Sequence, residues 1–144
     1  MKIIQEIGNR TLLQREKTLF LCSKMAPISK YDLVFGWVDS LSKDNCIICF
    51  NSSELEEEVM KALLVNEVPT RLVVMNRFTD KYNVQIMKAL EEDRILILVL
   101  HRDEPRGSGA TPRLRNEFVI KMADQIVCGY INKYGSIYPM VSNR

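Results

Sequence analysis

The sequence lacks any hydrophobic stretch long enough to cross a membrane. Its longest uninterrupted apolar run, Ile95 to Leu100, is far shorter than the roughly 20 residues that a membrane-spanning helix needs. The N-terminal segment also lacks the continuous apolar stretch of a signal peptide, because Glu6 interrupts it. Both absences predict a cytoplasmic protein with no membrane partner.

The sequence has no large excess of charge of either sign. Its 20 Lys and Arg residues nearly balance its 18 Asp and Glu residues, which gives a net charge of +2. This excludes a basic field over the whole surface of the kind that attracts nucleic acid. Local charge is more informative, because the segment from Arg102 to Arg115 carries four arginines and forms a positive patch.

Cysteine and histidine are scarce, with four and one residues respectively. Cys46 and Cys49 have the Cys-x-x-Cys spacing of a zinc or redox site, but both fall in one predicted strand, where residues three apart point to opposite faces. We therefore predict buried structural thiols and no metal site. His101 follows a buried strand, and we interpret it as a strand-end polar residue. No catalytic residue is predicted, and the interpretation favours a protein that is not an enzyme.

Short apolar runs alternate with segments of helical periodicity along the chain. The apolar runs predict five strands, at Thr18–Cys22, Cys46–Phe50, Arg71–Met75, Arg94–Leu100 and Gln125–Ile131. The periodic segments predict a short helix over Lys2–Ile7, a connection up to residue 16, and longer helices over Lys30–Leu41, after Ser52 or Ser53, over Lys81–Glu92 and over Leu114–Ala123. The first of the longer helices should bury Leu33, Val34, Trp37, Val38 and Leu41 on one face.

Continuous apolar strands that alternate with helices are typical of parallel sheets covered on both faces. The pattern predicts an α/β fold, with a doubly wound, Rossmann-like domain spanning residues 1–144 and a mainly parallel sheet of five or more strands.

In such sheets, ligands bind beyond the carboxyl ends of the strands, near the point where the strand order switches. The loops expected at that edge contain side chains and backbone groups suited to a phosphate. The candidate ligand-binding residues are Ser23, Lys24, Ser52, Ser53, Arg102, Arg113, Arg115, Asn116, Gly135 and Ser136. The chain has no Gly-x-Gly-x-x-Gly fingerprint, so neither NAD nor FAD is expected, and no cofactor is predicted.

Arg115 and Asn116 stand out because an Arg at a helix start can add a bidentate contact to a cradle of backbone amides. The alternative is a solvated helix start with Arg115 paired to Glu117 or Glu104. The loop from residue 106 to residue 112 could close on a ligand or be an ordinary connection. Tyr134 and Tyr138 flank the Gly-Ser turn, where one of them could stack on a base.

Several short motifs occur in a fixed order. They are Gly8-Asn9 followed by Leu12-Leu13, then Leu21-Cys22-Ser23-Lys24 with Ser29 and Tyr31, Ala62-Leu63, Arg115-Asn116 with Ala123-Asp124, and Lys133-Tyr134-Gly135-Ser136. In order and spacing, the chain resembles the Rossmann-like domain of the DNA-processing protein A (Smf) family, over roughly residues 8 to 140. The resemblance implies binding of single-stranded DNA in a basic pocket and transfer of that DNA to a recombination protein. It implies ligand contacts from Ser23, Lys24, Arg115, Asn116, Gly135 and Ser136.

The chain departs from the family pattern at three places. Cys22 replaces a glycine, and Glu117 replaces a second arginine. The segment Asn51–Glu56 lacks the family's glycines and adds negative charge. The wider group of nucleotide-binding domains includes the cytokinin-activating "lonely guy" enzymes, but their Pro-Gly-Gly-x-Gly-Thr loop has no counterpart here.

Three functions follow from the sequence. The first is a non-enzymatic binding module for single-stranded DNA or RNA. The second is a sensor of, or weak enzyme on, a nucleotide or nucleotide derivative. The third is a domain that mediates protein contacts, for example a homodimer formed through an edge strand or a helix.

Overall fold

The computed structural model describes residues 1–103 and 111–142. Within them, six strands form one sheet in the order β1-β5-β4-β3-β2-β6. The strands are β1 (Lys2–Gly8), β2 (Thr18–Cys22), β3 (Ile47–Cys49), β4 (Thr70–Met75), β5 (Ile95–His101) and β6 (Gln125–Tyr130). The helices are α1 (Tyr31–Asp39), α2 (Glu54–Val65), α3 (Val84–Glu91), α4 (Thr111–Met122) and α5 (Ile137–Ser142), with 3-10 helices at Arg10–Gln14 and Ile28–Lys30.

Helices cover both faces of this sheet. Side chains alternate along each strand, so that in β2 Phe20 faces α1, α2 and α3, whereas Leu19 and Leu21 face α4. Trp37 of α1 stacks on Phe20 with ring centroids 5.5 Å apart, which places this tryptophan in the packing of the domain. All pairs of strands are parallel except β1 with β5. The fold is α/β with a mainly parallel sheet, as predicted, and is consistent with a Rossmann-like fold.

The prediction of an N-terminal helix over Lys2–Ile7 is wrong, because this segment is the antiparallel edge strand β1. Pairing of its backbone with β5, a tertiary interaction, outweighs the local preference. Gly8 ends the strand with a φ of +112°, and a Cβ there would collide with the carbonyl oxygen of Ile95. This glycine therefore allows the backbone conformation at the end of β1.

The bounds of three helices also differ from the prediction, and α1 spans Tyr31–Asp39 instead of the predicted Lys30–Leu41. Helix α3 begins at Val84, because the side chain of Asn83 accepts a hydrogen bond from the backbone N–H of Ile86 at 3.1 Å and caps the helix. Helix α4 begins at Thr111, ahead of the predicted Leu114. Leu33 is 72% exposed, so the prediction that it lies on the buried face of α1 is wrong.

Three of the four cysteines are buried, and Cys128, on the edge strand β6, is exposed. Burial raises the pKa of Cys22 to about 11 and raises that of Cys49 further. No group of three or more His, Cys, Asp or Glu side chains in residues 1–103 and 111–142 could hold a metal ion. None of the helices in those ranges has the length and apolarity to cross a membrane.

The strand order switches at β2. From β2 the chain builds β3, β4 and β5 outward to one side, and β6 then returns to pair on the other side of β2. A crevice is expected beyond the carboxyl ends of strands that flank such a switch.

Candidate functional site

A cavity of about 540 Å³ lies beyond the carboxyl ends of β2 and β6, next to the first turns of α2 and α4. Its position matches the edge of the sheet at which the sequence places a ligand. It is lined by eight of the ten candidate residues: Ser23, Lys24, Ser52, Arg113, Arg115, Asn116, Gly135 and Ser136.

The other two candidates, Ser53 and Arg102, do not line this cavity. Ser53 is the N-cap of α2, where its hydroxyl accepts a hydrogen bond from the backbone N–H of Glu56 at 3.3 Å. Arg102 donates from Nη1 to the hydroxyl of Thr111 at 3.2 Å, beside the start of α4. Residues 106–110 of the loop that could close on a ligand, which runs from residue 106 to residue 112, lie outside the described residues.

One wall of the cavity is formed where the loops after β2 and β6 are tied together. The backbone N–H of Ser23 donates to the carbonyl of Tyr130 at 2.7 Å, and the N–H of Asn132 donates to the hydroxyl of Ser23 at 2.9 Å. The register between the two strands shifts after Leu21, so that Cys22 pairs with Tyr130. A bulge of this kind changes the direction of a strand end. Here it lies directly before Ser23, which is hydrogen-bonded to the loop after β6.

The Gly-Ser turn forms the outer part of that wall. Asn132 organises it, since its carbonyl accepts from the N–H of Gly135 at 3.0 Å and its side-chain oxygen accepts from the N–H of Tyr134 at 3.0 Å. Tyr134 is 97% exposed and Tyr138 is 44% exposed. Both tyrosines are therefore free to meet a ligand that extends beyond the cavity.

Arg115 lies across the floor of the cavity. Its guanidinium carbon sits 4.0 Å from the centre of the Phe50 ring. Its Nη1 donates to the hydroxyl of Ser52 at 2.9 Å, while Nε and Nη2 donate to the side-chain oxygen of Asn116 at 3.1 and 2.8 Å. Burial lowers the pKa of Arg115 from its ordinary value, and the negative charge of Glu56 opposes that change.

This geometry excludes the pairing of Arg115 with Glu117. The arginine that pairs with Glu117 is Arg113, at 3.3 Å and on the exposed side of α4, whereas Arg115 points inward. The other proposed partner, Glu104, lies outside the described residues. A guanidinium has five N–H donors, and the three contacts above leave two N–H groups of Arg115 for a ligand.

Sequence reasoning missed Glu56 as a lining residue of the cavity. This side chain is only 4% exposed, and its Oε1 accepts a hydrogen bond from the hydroxyl of Ser52 at 3.0 Å. The available signal is the pattern Ser53-x-x-Glu56, which is typical of a capping box. In a capping box the carboxylate turns back to the N-cap backbone, and here it reaches Ser52 instead.

Two solved structures resemble the chain over nearly its whole length. DNA processing protein A from Helicobacter pylori superposes with a TM-score of 0.68 and 14% sequence identity, over 95% of this chain and 64% of that one. DNA processing protein A (DprA) from Streptococcus pneumoniae superposes with a TM-score of 0.73 and 15% identity, over 96% of this chain and 50% of that one. The chain has a fold like that of DNA processing protein A.

The resemblance stated from the sequence motifs is thereby confirmed at the level of the fold. The chain spans less than two thirds of the length of either of these two proteins. The H. pylori structure was described for its mode of single-stranded DNA binding, which is a property of that protein. No protein-family model matches the chain, and no curated protein matches it by sequence.

Proposed function

We propose that the chain binds single-stranded nucleic acid, with the sugar-phosphate backbone held in the cavity between β2, β6 and α4. The observation that carries the proposal is the convergence of Lys24, Arg113 and Arg115 with the hydroxyls of Ser23 and Ser136 around one cavity. Cations and hydroxyl donors are the groups that contact phosphates and sugars. Because the net charge is only +2, binding depends on this local cluster.

Exposed apolar side chains at the mouth of the cavity support a strand as the ligand. Met25 is 87% exposed and lines the cavity, and Tyr134 is 97% exposed in the turn between two lining residues, Asn132 and Gly135. Bases stack on aromatic and apolar side chains without regard to sequence. We therefore propose that the bases lie at the mouth and are bound with little sequence preference.

The test is fluorescence anisotropy with a labelled single-stranded oligonucleotide, comparing Lys24→Ala with Lys121→Ala. Both lysines are exposed, and Lys121 lies near the far end of α4, so the two variants lose the same charge at different places. We expect Lys24→Ala to weaken binding by about threefold to tenfold, and Lys121→Ala to leave it within twofold. Equal effects of the two variants would show that binding is spread over the surface and would contradict the proposal.

A mononucleotide is the second candidate ligand. A cavity of about 540 Å³ has the size of small-molecule sites, and it brings exposed cationic groups together with the buried polar side chains of Glu56 and Asn116. In this case nucleoside monophosphates would raise the melting temperature, while oligonucleotides would bind no more tightly than the monomer. A thermal-shift series that compares a mononucleotide with the matching oligonucleotide distinguishes the two ligands.

A further inference from the structure

The cavity contains a buried carboxylate that the binding of phosphate does not use. Glu56 is 4% exposed and lines the cavity. Its Oε1 accepts from the hydroxyl of Ser52 at 3.0 Å, and no donor in the described residues contacts its Oε2. A buried carboxylate needs hydrogen-bond donors to offset the loss of water. Glu56 therefore retains capacity to accept a hydrogen bond from a ligand.

Glu56 and Arg115 are joined through Ser52. Arg115 donates to the Ser52 hydroxyl at 2.9 Å, and that hydroxyl donates to Glu56. The two opposite charges offset each other at the floor, whereas Lys24 and Arg113 are exposed near the mouth. Phosphate is consequently favoured at the mouth and disfavoured at the floor, where a neutral group that donates a hydrogen bond fits better.

The floor suits a sugar better than a base. The face of Phe50 that could have stacked on a base is already covered by the guanidinium of Arg115 at 4.0 Å. Hydrogen bonds link Glu56 through Ser52 to Arg115 and Asn116, and the large exposed apolar side chains Met25 and Tyr134 lie at the mouth. A strand with phosphates and bases toward the mouth would direct a sugar edge to the floor.

We propose that Glu56 accepts a hydrogen bond from a ribose 2′-hydroxyl, so that the cavity prefers single-stranded RNA to single-stranded DNA. The 2′-hydroxyl is the donor that distinguishes RNA from DNA at a given site. The inference rests on the proposed function, because it requires a strand in this cavity. It adds the class of nucleic acid that the cavity selects.

The experiment compares three labelled strands of equal length and identical bases: oligouridine, its 2′-deoxy form and its 2′-fluoro form. The fluoro strand keeps a ribose-like sugar pucker but has no 2′ donor. We expect the wild-type protein to bind the ribose strand about tenfold more tightly than either of the other two, as for loss of one hydrogen bond to a charged group. Anisotropy at low salt measures the three dissociation constants.

Glu56→Gln and Glu57→Gln form the matched pair of variants. Glu57 lies one residue along α2, is exposed, and pairs with Lys61 at 3.6 Å, so its substitution removes the same charge outside the cavity. We expect Glu56→Gln to bring the three dissociation constants within about twofold of one another, and Glu57→Gln to keep the wild-type preference. Thermal unfolding of each variant shows whether it folds, and the wild-type series decides alone if Glu56→Gln does not.

Each contrary result has a distinct meaning. Equal binding of ribose and deoxyribose strands by the wild type would overturn the inference and leave the proposed function standing. Tight binding of the fluoro strand would overturn it too, because pucker and not the hydroxyl would then be recognised. An equal gain in affinity for all three strands in Glu56→Gln would also overturn the inference, because Glu56 would then act only by repelling the negative charge of the strand. Binding of none of the strands would overturn the proposed function itself.

Discussion

Arg71 in β4 is fully buried, with 0% of its surface exposed. Its Nη2 donates to the carbonyl oxygens of Arg15 at 2.6 Å and Glu16 at 3.2 Å, while its buried Nε and Nη1 have no hydrogen-bond partner within the described residues. Burying a charge that is only partly hydrogen-bonded costs desolvation free energy, and an apolar side chain of similar length does not have this cost.

We expect Arg71→Met to change the free energy of unfolding by no more than about 1 kcal/mol, because the apolar side chain fills the same space. Arg71→Ala leaves a cavity as well and should lose about 3 kcal/mol. Urea denaturation of the two variants measures the difference. If methionine costs as much as alanine, the bonds to the two carbonyl oxygens are worth more than the desolvation of the guanidinium.

Cys22 gives the molecule a dependence of stability on alkaline pH. Burial, the largest cause, raises its pKa from 9.0 to about 11, so the folded state holds the thiol proton to higher pH than the unfolded state does. The resulting stability is fully present below pH 9 and is lost as the pH rises through about 11. Denaturation at several pH values between 8 and 11 should show a decline that is shallower in Cys22→Ala. If stability declines equally with pH in the wild type and in Cys22→Ala, Cys22 is not the cause of the decline.

At the scale of elements, Gly8 at the end of β1 and Gly135 in the Gly-Ser turn differ in whether the backbone requires glycine. Gly8 ends β1 at a φ of +112°, and a Cβ there would collide with the carbonyl oxygen of Ile95. Gly135 does not have a positive φ, and a Cβ there would lie 3.4 Å from the carbonyl oxygen of Asn132. We expect Gly8→Ala to lose about 2–3 kcal/mol of unfolding free energy and Gly135→Ala to lose less than about 0.5 kcal/mol. Chemical denaturation measures both. A large loss at Gly135 would mean that the turn needs glycine for its own conformation.

The interior strands, which the sequence predicted, and the edge strand β1, which it missed, differ in burial. The interior strands, such as β5 with its buried run from Ile95 to Leu100, are covered on both faces and therefore read as continuous apolar segments. The strand β1 is mostly exposed and pairs only at the edge, so its sequence carries no such signal. What fixes β1 is its partner strand, which a local pattern cannot reveal.

The part of the candidate site that lies at strand ends could be predicted from the sequence, because the sheet topology alone brings those residues together. Ser23, Lys24 and Gly135 follow strands whose carboxyl ends must meet at one edge, so their proximity follows from the fold class. Glu56 could not be found this way, because its sequence pattern is that of a helix cap. Its place in the cavity depends on the orientation of its side chain, which accepts a hydrogen bond from Ser52 at 3.0 Å.

At the scale of the whole molecule, the net charge is only +2, so the proposed binding of a polyanion requires the cations of the cavity. Each phosphate of a single strand neutralised by a cation contributes about −0.7 to the slope of log K against log salt concentration. Glu56 offsets the charge of Arg115, so the two exposed cations of the cavity, Lys24 and Arg113, predict a slope of about −1.4 for the wild type.

Lys24→Ala should make that slope shallower by about 0.7, while Lys121→Ala at the far end of α4 leaves it unchanged. Anisotropy titrations at four or more salt concentrations give the slopes. A wild-type slope much steeper than about −1.4 would require more cations than the mouth of the cavity provides and would place the strand on a wider surface. A slope near zero would mean that contact with phosphate is not the main source of affinity. The number of phosphates counted in this way is independent of the identity of the sugar, so it tests the cavity separately from the role assigned to Glu56.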